Sequence, residues 1–335
     1  MTAFRVTMCD LDRPQTVLLE LEKRFDHLFV HHIDIIKNTF QDQKLSLVLK
    51  PFLDGKKFQR NEVRVAFRGH GVVIRFIHLP KMKVEDLRGA IAREVEQYIP
   101  FEPSDVMFDF GVVEEDLKTD DGAKMEVMLV AIKRQELEPI LETFRSLGCR
   151  LSVVDVNILS AMAALEYFHP QDFAGHTGLL DLGAEISTLG IVRDKKPRFV
   201  RDIPYGIWDL HRGLKTRSNL TDEKIGKLFA KNEAPTLEEI QAIGEGLEGL
   251  IRDLHVSFDY YHDQSGHSKS VKKLFLTGGI SHPAVLKALS EGLQVPVVSM
   301  EILTKIKWAP DIDPELLKTN VAFLPVLLGL GLRER

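Results

Sequence analysis

The 335-residue chain predicts an α/β protein of two lobes built by duplication, with a small α/β subdomain inserted in the first lobe. Three observations carry this. Two glycine turns, Asp181-Leu182-Gly183-Ala184-Glu185-Ile186-Ser187-Thr188 and Leu274-Phe275-Leu276-Thr277-Gly278-Gly279-Ile280, are each entered from a buried, strand-like apolar run, and they lie about ninety residues apart. The succession strand, turn, strand pair, helices occurs in both halves of the chain. A strand–helix–strand run within the first half reads as a unit of its own. Glycine lets a backbone approach a ligand where a β-carbon would clash, and free N–H groups at such turns suit phosphate. The order of the two turns predicts a nucleotide clamped between the lobes.

The elements follow in order. Residues 4–8 and 15–21 read as short strands around a turn at Asp10-Leu11-Asp12-Arg13-Pro14. Leu45–Leu49, Glu62–Phe67 and Val72–Ile77 add strands, the last two joined by Arg68-Gly69-His70-Gly71 as a hairpin. From Val84 to Tyr98 the period changes to that of a helix, with Leu87, Ala90, Ile91, Val95 and Tyr98 on one face, and Pro100 ends it. Strands at Val106–Val113 and Lys124–Ile132 precede a helix at Arg134–Leu147 closed by Gly148. A strand at Arg150–Val156 and a helix at Asn157–Phe168 lead to a linker at His169–Thr177. The second lobe opens with the strand Gly178–Leu182, then the pair Leu189–Val192 and Pro197–Val200 turning at Asp194-Lys195-Lys196. Helices at 221–231 and 236–262, a polar loop at 263–270, a strand at 272–276, a helix at 282–290, a strand near Val295–Val298 and a terminal helix complete it. The division this predicts is 1–84 for the first-lobe sheet, 85–155 for the insert and 156–176 for a connecting helix and linker. Residues 177–320 form the second lobe, and 321–335 a terminal helix packing back on the first.

Composition excludes several classes. A 44% apolar and 28% charged content is that of a globular protein, and a net charge of −5 gives no footprint for nucleic acid. Two cysteines, Cys9 and Cys149, make no disulfide framework and fit a reducing compartment. The first residues lack the apolar core of a signal peptide. The longest apolar stretch, Val321–Leu332, is too short to span a bilayer and is interrupted by Pro325 and two glycines. Membrane work by such a chain would go through a partner.

The segment Glu94-Val95-Glu96-Gln97-Tyr98-Ile99-Pro100-Phe101 resembles the E-x-E-Q-Y-I-P-F segment of the PilM family, the actin-like proteins of type IV pilus assembly. Val106–Phe110 resembles that family's V-x-x-D-F strand. Asp181-Leu182-Gly183-Ala184 with Ser187-Thr188 resembles its second phosphate turn, Thr277-Gly278-Gly279-Ile280 its adenosine turn, and Gly329-Leu330-Gly331-Leu332-Arg333 its ending. The resemblance runs through almost the whole chain. It implies the two-lobed actin-like (ribonuclease H-like, duplicated) fold. The first phosphate turn departs from the pattern: Asp10 is kept, but Asp12 stands for a glycine, Pro14 for a serine and Val17 for a lysine. A carboxylate there repels phosphate, and proline removes an N–H donor. Asp222-Glu223-Lys224-Ile225-Gly226 keeps the glutamate of a ribose-contacting A-E-x-x-K motif but has glycine for its lysine.

Each candidate residue has a functional and a plain reading. Asp181 can hold a hydrated Mg²⁺ while the Gly183 and Ala184 amides hold phosphate, or the segment is an ordinary turn between strands. With Ser187 and Thr188 these residues form the implied ATP site, which Asp10 joins as a metal ligand or catalytic carboxylate, or else is merely a turn residue. Gly278 and Gly279 either pack under an adenine or let a strand and a helix approach closely. Cys9 reads as core, and His31, His32 and His262 have no zinc spacing. The charge run at 114–121 reads as a solvated loop tip. Tyr98, Ile99 and Phe101 are either core or the lining of a groove between the first lobe and its insert. In the PilM family such a groove takes the cytoplasmic N-terminal tail of PilN, a bitopic membrane protein, as an extended segment.

The implied function is a cytoplasmic scaffold under the inner membrane, held there through partners, with degenerate or weak ATP binding and no enzymatic role. An active ATPase or phosphotransferase of the same superfamily is the alternative, which the altered first turn disfavours. A third, the cytoplasmic part of a GspL-like secretion protein, is disfavoured by a chain ending at Arg335.

Overall fold

A computed structural model describes residues 4–11, 15–24, 27–37, 44–55, 58–119, 122–230, 234–265, 271–314, 316–317 and 321–333. The altered positions Asp12 and Pro14 lie outside these, as does most of the polar loop expected at 263–270.

The first lobe is built on strands β1 (Phe4–Leu11), β2 (Gln15–Arg24), β3 (His27–Lys37), β4 (Val63–Phe67) and β8 (Leu151–Val156). β1, β2 and β3 form an antiparallel meander, β4 runs parallel to β1, and β8 runs parallel to β4 at the sheet edge. The second lobe repeats the scheme with β9 (His176–Leu182), β10 (Ser187–Arg193), β11 (Lys196–Ile203), β12 (Lys273–Gly278) and β13 (Val297–Ser299). With β14 (Ile306–Trp308) the sheet orders are β14-β3-β2-β1-β4-β8 and β11-β10-β9-β12-β13, so the echo in the sequence is a duplicated topology. β14 comes from the segment expected in the second lobe yet pairs with β3 in the first.

The insert has its own sheet, in the order β5-β7-β6, from β5 (Val72–Pro80), β6 (Val106–Thr119) and β7 (Gly122–Lys133). The expected hairpin at 68–71 is corrected: β4 and β5 belong to different sheets, and the segment crosses from lobe to insert. The insert's sheet therefore begins before residue 85, and β8 returns to the first lobe. Helix α2 (Val84–Tyr98) covers one face of this sheet through Leu87, Ile91 and Val95, spaced four apart, with Glu85 and Asp86 suiting its first turn.

Helix α1 (Leu45–Asp54) stands where a strand was expected. The window Leu45–Leu49 is a short apolar run that suits a strand as well as a helix, but Leu45, Val48, Leu49, Phe52 and Leu53 continue at helical spacing, and Leu49 and Leu53 are buried. With α3 (Arg134–Ser146) it packs into the first-lobe core. α4 (Asn157–Phe168), followed by the single turn α5 (Pro170–Phe173), lies between the lobes. In the second lobe α6 (Ile207–Thr216), α7 (Asp222–Ala230), α8 (Leu237–Ser265) and α9 (Pro283–Leu293) enclose a separate core. Thr236 and Glu239 form a reciprocal capping box ahead of α8.

The terminal helix α10 (Leu324–Leu332) crosses α4 so closely that a β-carbon on Gly329 would lie 1.7 Å from the Ser160 carbonyl oxygen. Five of its buried apolar side chains, Leu324, Val326, Leu327, Leu328 and Leu330, each contribute about 1.5–3 kcal/mol. Its last carbonyls are met by buried Arg64, which donates to the oxygens of Leu330, Gly331 and Arg333 at 3.2, 3.3 and 2.6 Å. Glu62 accepts from the same guanidinium at 2.9 Å.

Candidate functional site

Asp10 is the next-to-last residue of β1 and Asp181 the next-to-last of β9, equivalent places in the duplicated sheets. Both are buried, at 3% and 0% exposure. Asn157, the first residue of α4, donates to Asp10 Oδ1 at 2.9 Å. Asp181 Oδ2 accepts from Arg68 Nη2 at 2.5 Å. Arg68 directly follows β4, so the first lobe supplies the cation and the second the anion. Its other terminal nitrogen, Nη1, covers the second phosphate turn: a β-carbon on Gly183 would lie 1.6 Å from it.

Several other groups of the implied nucleotide site are bound within the chain. The first amides of α6, on Ile207 and Trp208, donate to the carbonyls of Gly183 and Ala184 at 2.9 and 3.1 Å. Ser187 Oγ donates to the Tyr205 carbonyl and Thr188 Oγ1 to Asp202, both at 2.7 Å. At the adenosine turn Gly278 has φ of 98°, and the Gly279 amide donates to the Leu182 carbonyl at 2.7 Å. A β-carbon on Gly279 would lie 1.9 Å from Ile207 Cδ1. The larger opening beside Arg68, about 550 Å³, is lined mainly by apolar groups such as Leu11, Phe67, Ile140 and Ile186. Among the described residues no group of three His, Cys, Asp or Glu side chains is placed to hold a metal. Cys9, next to Asp10, is fully buried, and burial together with that carboxylate pushes its thiol up. This arrangement does not fit a magnesium–nucleotide: an arginine holds the metal's carboxylate, and side chains of the chain itself stand on both glycine turns.

A second site lies between the insert and the first lobe. Its cavity of about 390 Å³ is lined by consecutive residues Met107–Gly111 of β6 and Val153–Val156 of β8. Consecutive residues line a space only where a strand presents its edge, and β6 and β8 are the edge strands of their sheets. The alternating residues Met128, Val130 and Ile132 of β7 form the floor. Met107 stays 40% exposed. At one end Arg333, placed by the Arg64 cap, donates from Nε to Asp155 Oδ2 at 2.6 Å, and Ser160 and the Val156 amide bond the same carboxylate at 2.8 Å.

The groove residues expected from the sequence lie elsewhere. Ile99 is buried in the core between α2 and the opposite face of the sheet, and Tyr98 and Phe101 pack against that core. Lys133 Nζ lies 4.3 Å from the Phe101 ring centroid. The two faces were legible in the alternation of β6: Val106, Phe108, Phe110 and Val112 go with α2, while Met107, Asp109 and Gly111 pair across to Ile132, Val130 and Met128. Arg68 and Ile207 carried no such signal, because only the crossing of β4 into the insert and the start of α6 bring them to the cleft.

Of the charge run at 114–121, β6 takes in residues up to Thr119, Glu115 and Asp116 are exposed as expected, Asp120 and Asp121 lie outside the described residues, and Glu114 departs from the expectation by binding the second lobe. Arg198 of β11 donates to Glu126 at 2.7 Å and Glu114 at 3.3 Å, and Lys196 to Glu114 at 2.8 Å. The Lys196 ammonium, with Arg198 beside it, holds the Glu114 carboxyl below its ordinary range.

Residues 6–335 match the family described as type IV pilus assembly protein PilM, and the chain belongs to that family. A solved PilM–PilN type IV pilus biogenesis complex contains a chain 21% identical, with a TM-score of 0.80 over 98% of both chains. The ethanolamine utilization protein EutJ from Carboxydothermus hydrogenoformans is 10% identical, with a TM-score of 0.53 over 99% of this chain and 90% of that one. These likenesses show the fold, the two-lobed actin-like one.

Proposed function

We propose that this protein is a cytoplasmic scaffold of a type IV pilus, or related secretion, assembly platform, and that its groove holds the N-terminal tail of a PilN-like membrane protein. The observation that carries this is the groove itself: two open strand edges, β6 and β8, facing one apolar-floored cavity. An extended peptide can add to such an edge through main-chain hydrogen bonds, with alternate side chains entering the floor. Family membership and the likeness to a PilM chain from a PilM–PilN complex support the choice of partner. No helix of the described residues is long and apolar enough to cross a membrane, so the reading places the anchor in the partner.

In this scaffold the residues divide the work. The β7 floor takes apolar anchors of the tail. The Asp155–Arg333 pair gives one end of the groove a polar boundary, fixing the tail's register. The Glu114, Glu126, Lys196 and Arg198 cluster ties the groove-bearing insert to the second lobe. The lobe cleft, with its engaged aspartates, gives ATP weak or no binding. Calorimetric titration with a peptide of the cognate tail tests this. Micromolar binding that Met107→Glu weakens at least about tenfold supports it, since a buried charge among apolar groups costs more than 1.4 kcal/mol. Equal affinity in the variant contradicts it.

A further inference from the structure

We propose that Arg68 is a tethered cation standing in the metal's place at Asp181, and that with Ile207 it covers the two glycine turns of the cleft, leaving beside them only the opening with its largely apolar lining. The lobes are then held together by an ion pair of the chain itself instead of by a bound magnesium–nucleotide.

Four observations converge on this. The Arg68 side chain is 9% exposed and that of its partner Asp181 is fully buried, so the pair is a built interior contact and not a surface one. It joins residues 113 apart in sequence, one from each lobe. The second terminal nitrogen of Arg68 fills the open face of Gly183, the space that a phosphate oxygen would need. Ile207 fills the open face of Gly279, the space that a base would need. A glycine turn in this fold can serve a ligand or a neighbouring side chain, and here both turns receive side chains. The amides of Ile207 and Trp208, which a helix N-terminus would offer to an anion, are bound to the carbonyls of Gly183 and Ala184. The duplication sharpens the point. β4 lies parallel to β1 as β12 lies parallel to β9, so Arg68 after β4 and Gly279 after β12 hold equivalent places. One lobe puts a cation where the other puts a glycine covered by Ile207.

Arginine suits this role. It stays charged at any physiological pH, and its planar fork can bond a carboxylate through one nitrogen while another covers a backbone. An Asp181 paired in this way has its charge neutralised in the closed state without a metal.

The test uses the full chain and ATP, with Mg²⁺ and with a chelator, read by calorimetry and by the shift in melting temperature. The wild-type protein is expected to show neither heat nor shift from ATP in either condition. The Arg68→Ser/Ile207→Gly double variant is expected to melt lower and to regain stability on adding ATP with Mg²⁺, but not with the chelator. Magnesium-dependent ATP binding by the wild-type protein overturns the proposal, and this arm needs no variant to fold. A folded double variant that gains no binding overturns it as well. Arg68→Lys, which keeps a cation beside Asp181, is expected to remain without binding. Tail-peptide affinity measured in the same wild-type sample reports on the groove alone, so the two readings fail separately.

Discussion

At the cleft between the lobes, a guanidinium and an isoleucine sit on the two glycine turns, and the first amides of α6 end on carbonyls of the phosphate turn. At the groove beside the insert, two strand edges face a cavity and Met107 is left 40% exposed. Both places are junctions between bodies: the cleft lies between the two duplicated sheets, and the groove between the first-lobe sheet and the insert's own. At the first the chain's own side chains stand on the glycine turns, and at the second two strand edges are left open. Buried polar and charged groups must find partners, whereas an exposed edge with an apolar floor can wait for one. Under the proposed reading, the cleft serves to hold the lobes together, and the groove beside the insert is the surface left to a partner.

The largest effect expected is on the cleft. Arg68→Ala or Asp181→Ala leaves a charge buried without its partner and should cost about 3–5 kcal/mol, measured by denaturant unfolding. The double replacement Arg68→Met/Asp181→Leu should be more stable than either single variant, because it removes both desolvation penalties. Strictly additive losses would show that the two groups are not a pair.

The groove should behave in the opposite way. Met107→Glu is expected to lower tail affinity at least about tenfold while shifting unfolding free energy by less than about 0.5 kcal/mol, as for an exposed position. Phe101→Ala, by contrast, should weaken the insert's own core and leave the contacts of the tail in place. A variant series in which Phe101 outweighs Met107 in tail affinity would restore the groove to the position read from the sequence.

Smaller effects are expected at the latch. Removing Arg198 takes two charge-assisted bonds from carboxylates on the insert and should cost about 1.5–3 kcal/mol, with faster amide exchange in β6 and β7. Unchanged exchange there would mean that the insert is held by apolar packing alone.

The smallest is a pH effect remote from both sites. Arg24, and after it His31, bond Glu22 and hold its carboxyl at about 2, against an ordinary 4.5. Glu22 therefore stays ionised in the folded state at pH values where the unfolded chain takes up a proton. Its contribution is full above pH 4.5 and is lost as the pH falls towards 2. Glu22→Gln should flatten the fall in melting temperature across that window, and equal slopes would remove the cause assigned to it.

How far the sequence revealed this differs by place. Strands with a strong apolar run, such as β9 and β12, and amphipathic helices, such as α2, were legible because one face decides their burial. Helix α1 was not, since a five-residue apolar run does not separate strand from helix, and the helical stripe shows only over ten residues. β3 went unseen because His31, His32 and Asp34 interrupt its apolar pattern. One of them, His31, is bonded to buried Glu22 at 2.6 Å. The glycine turns were legible as turns, but their occupants were not. Arg68 reads locally as part of a Gly-rich hairpin, and its partner lies 113 residues away. The groove was legible as a place between two bodies. Tyr98, Ile99 and Phe101, expected to line it, belong to the core under α2, because a helix end rich in aromatic residues has the same sequence signature whether it lines a surface or closes a core.

Amide hydrogen exchange on the wild-type chain, with and without the tail peptide, tests the contrast between filled cleft and open groove most directly. The account predicts new protection along β6 and β8, and none at the turns of Gly183 and Gly279. Protection at those two turns with none along β6 and β8 would contradict it.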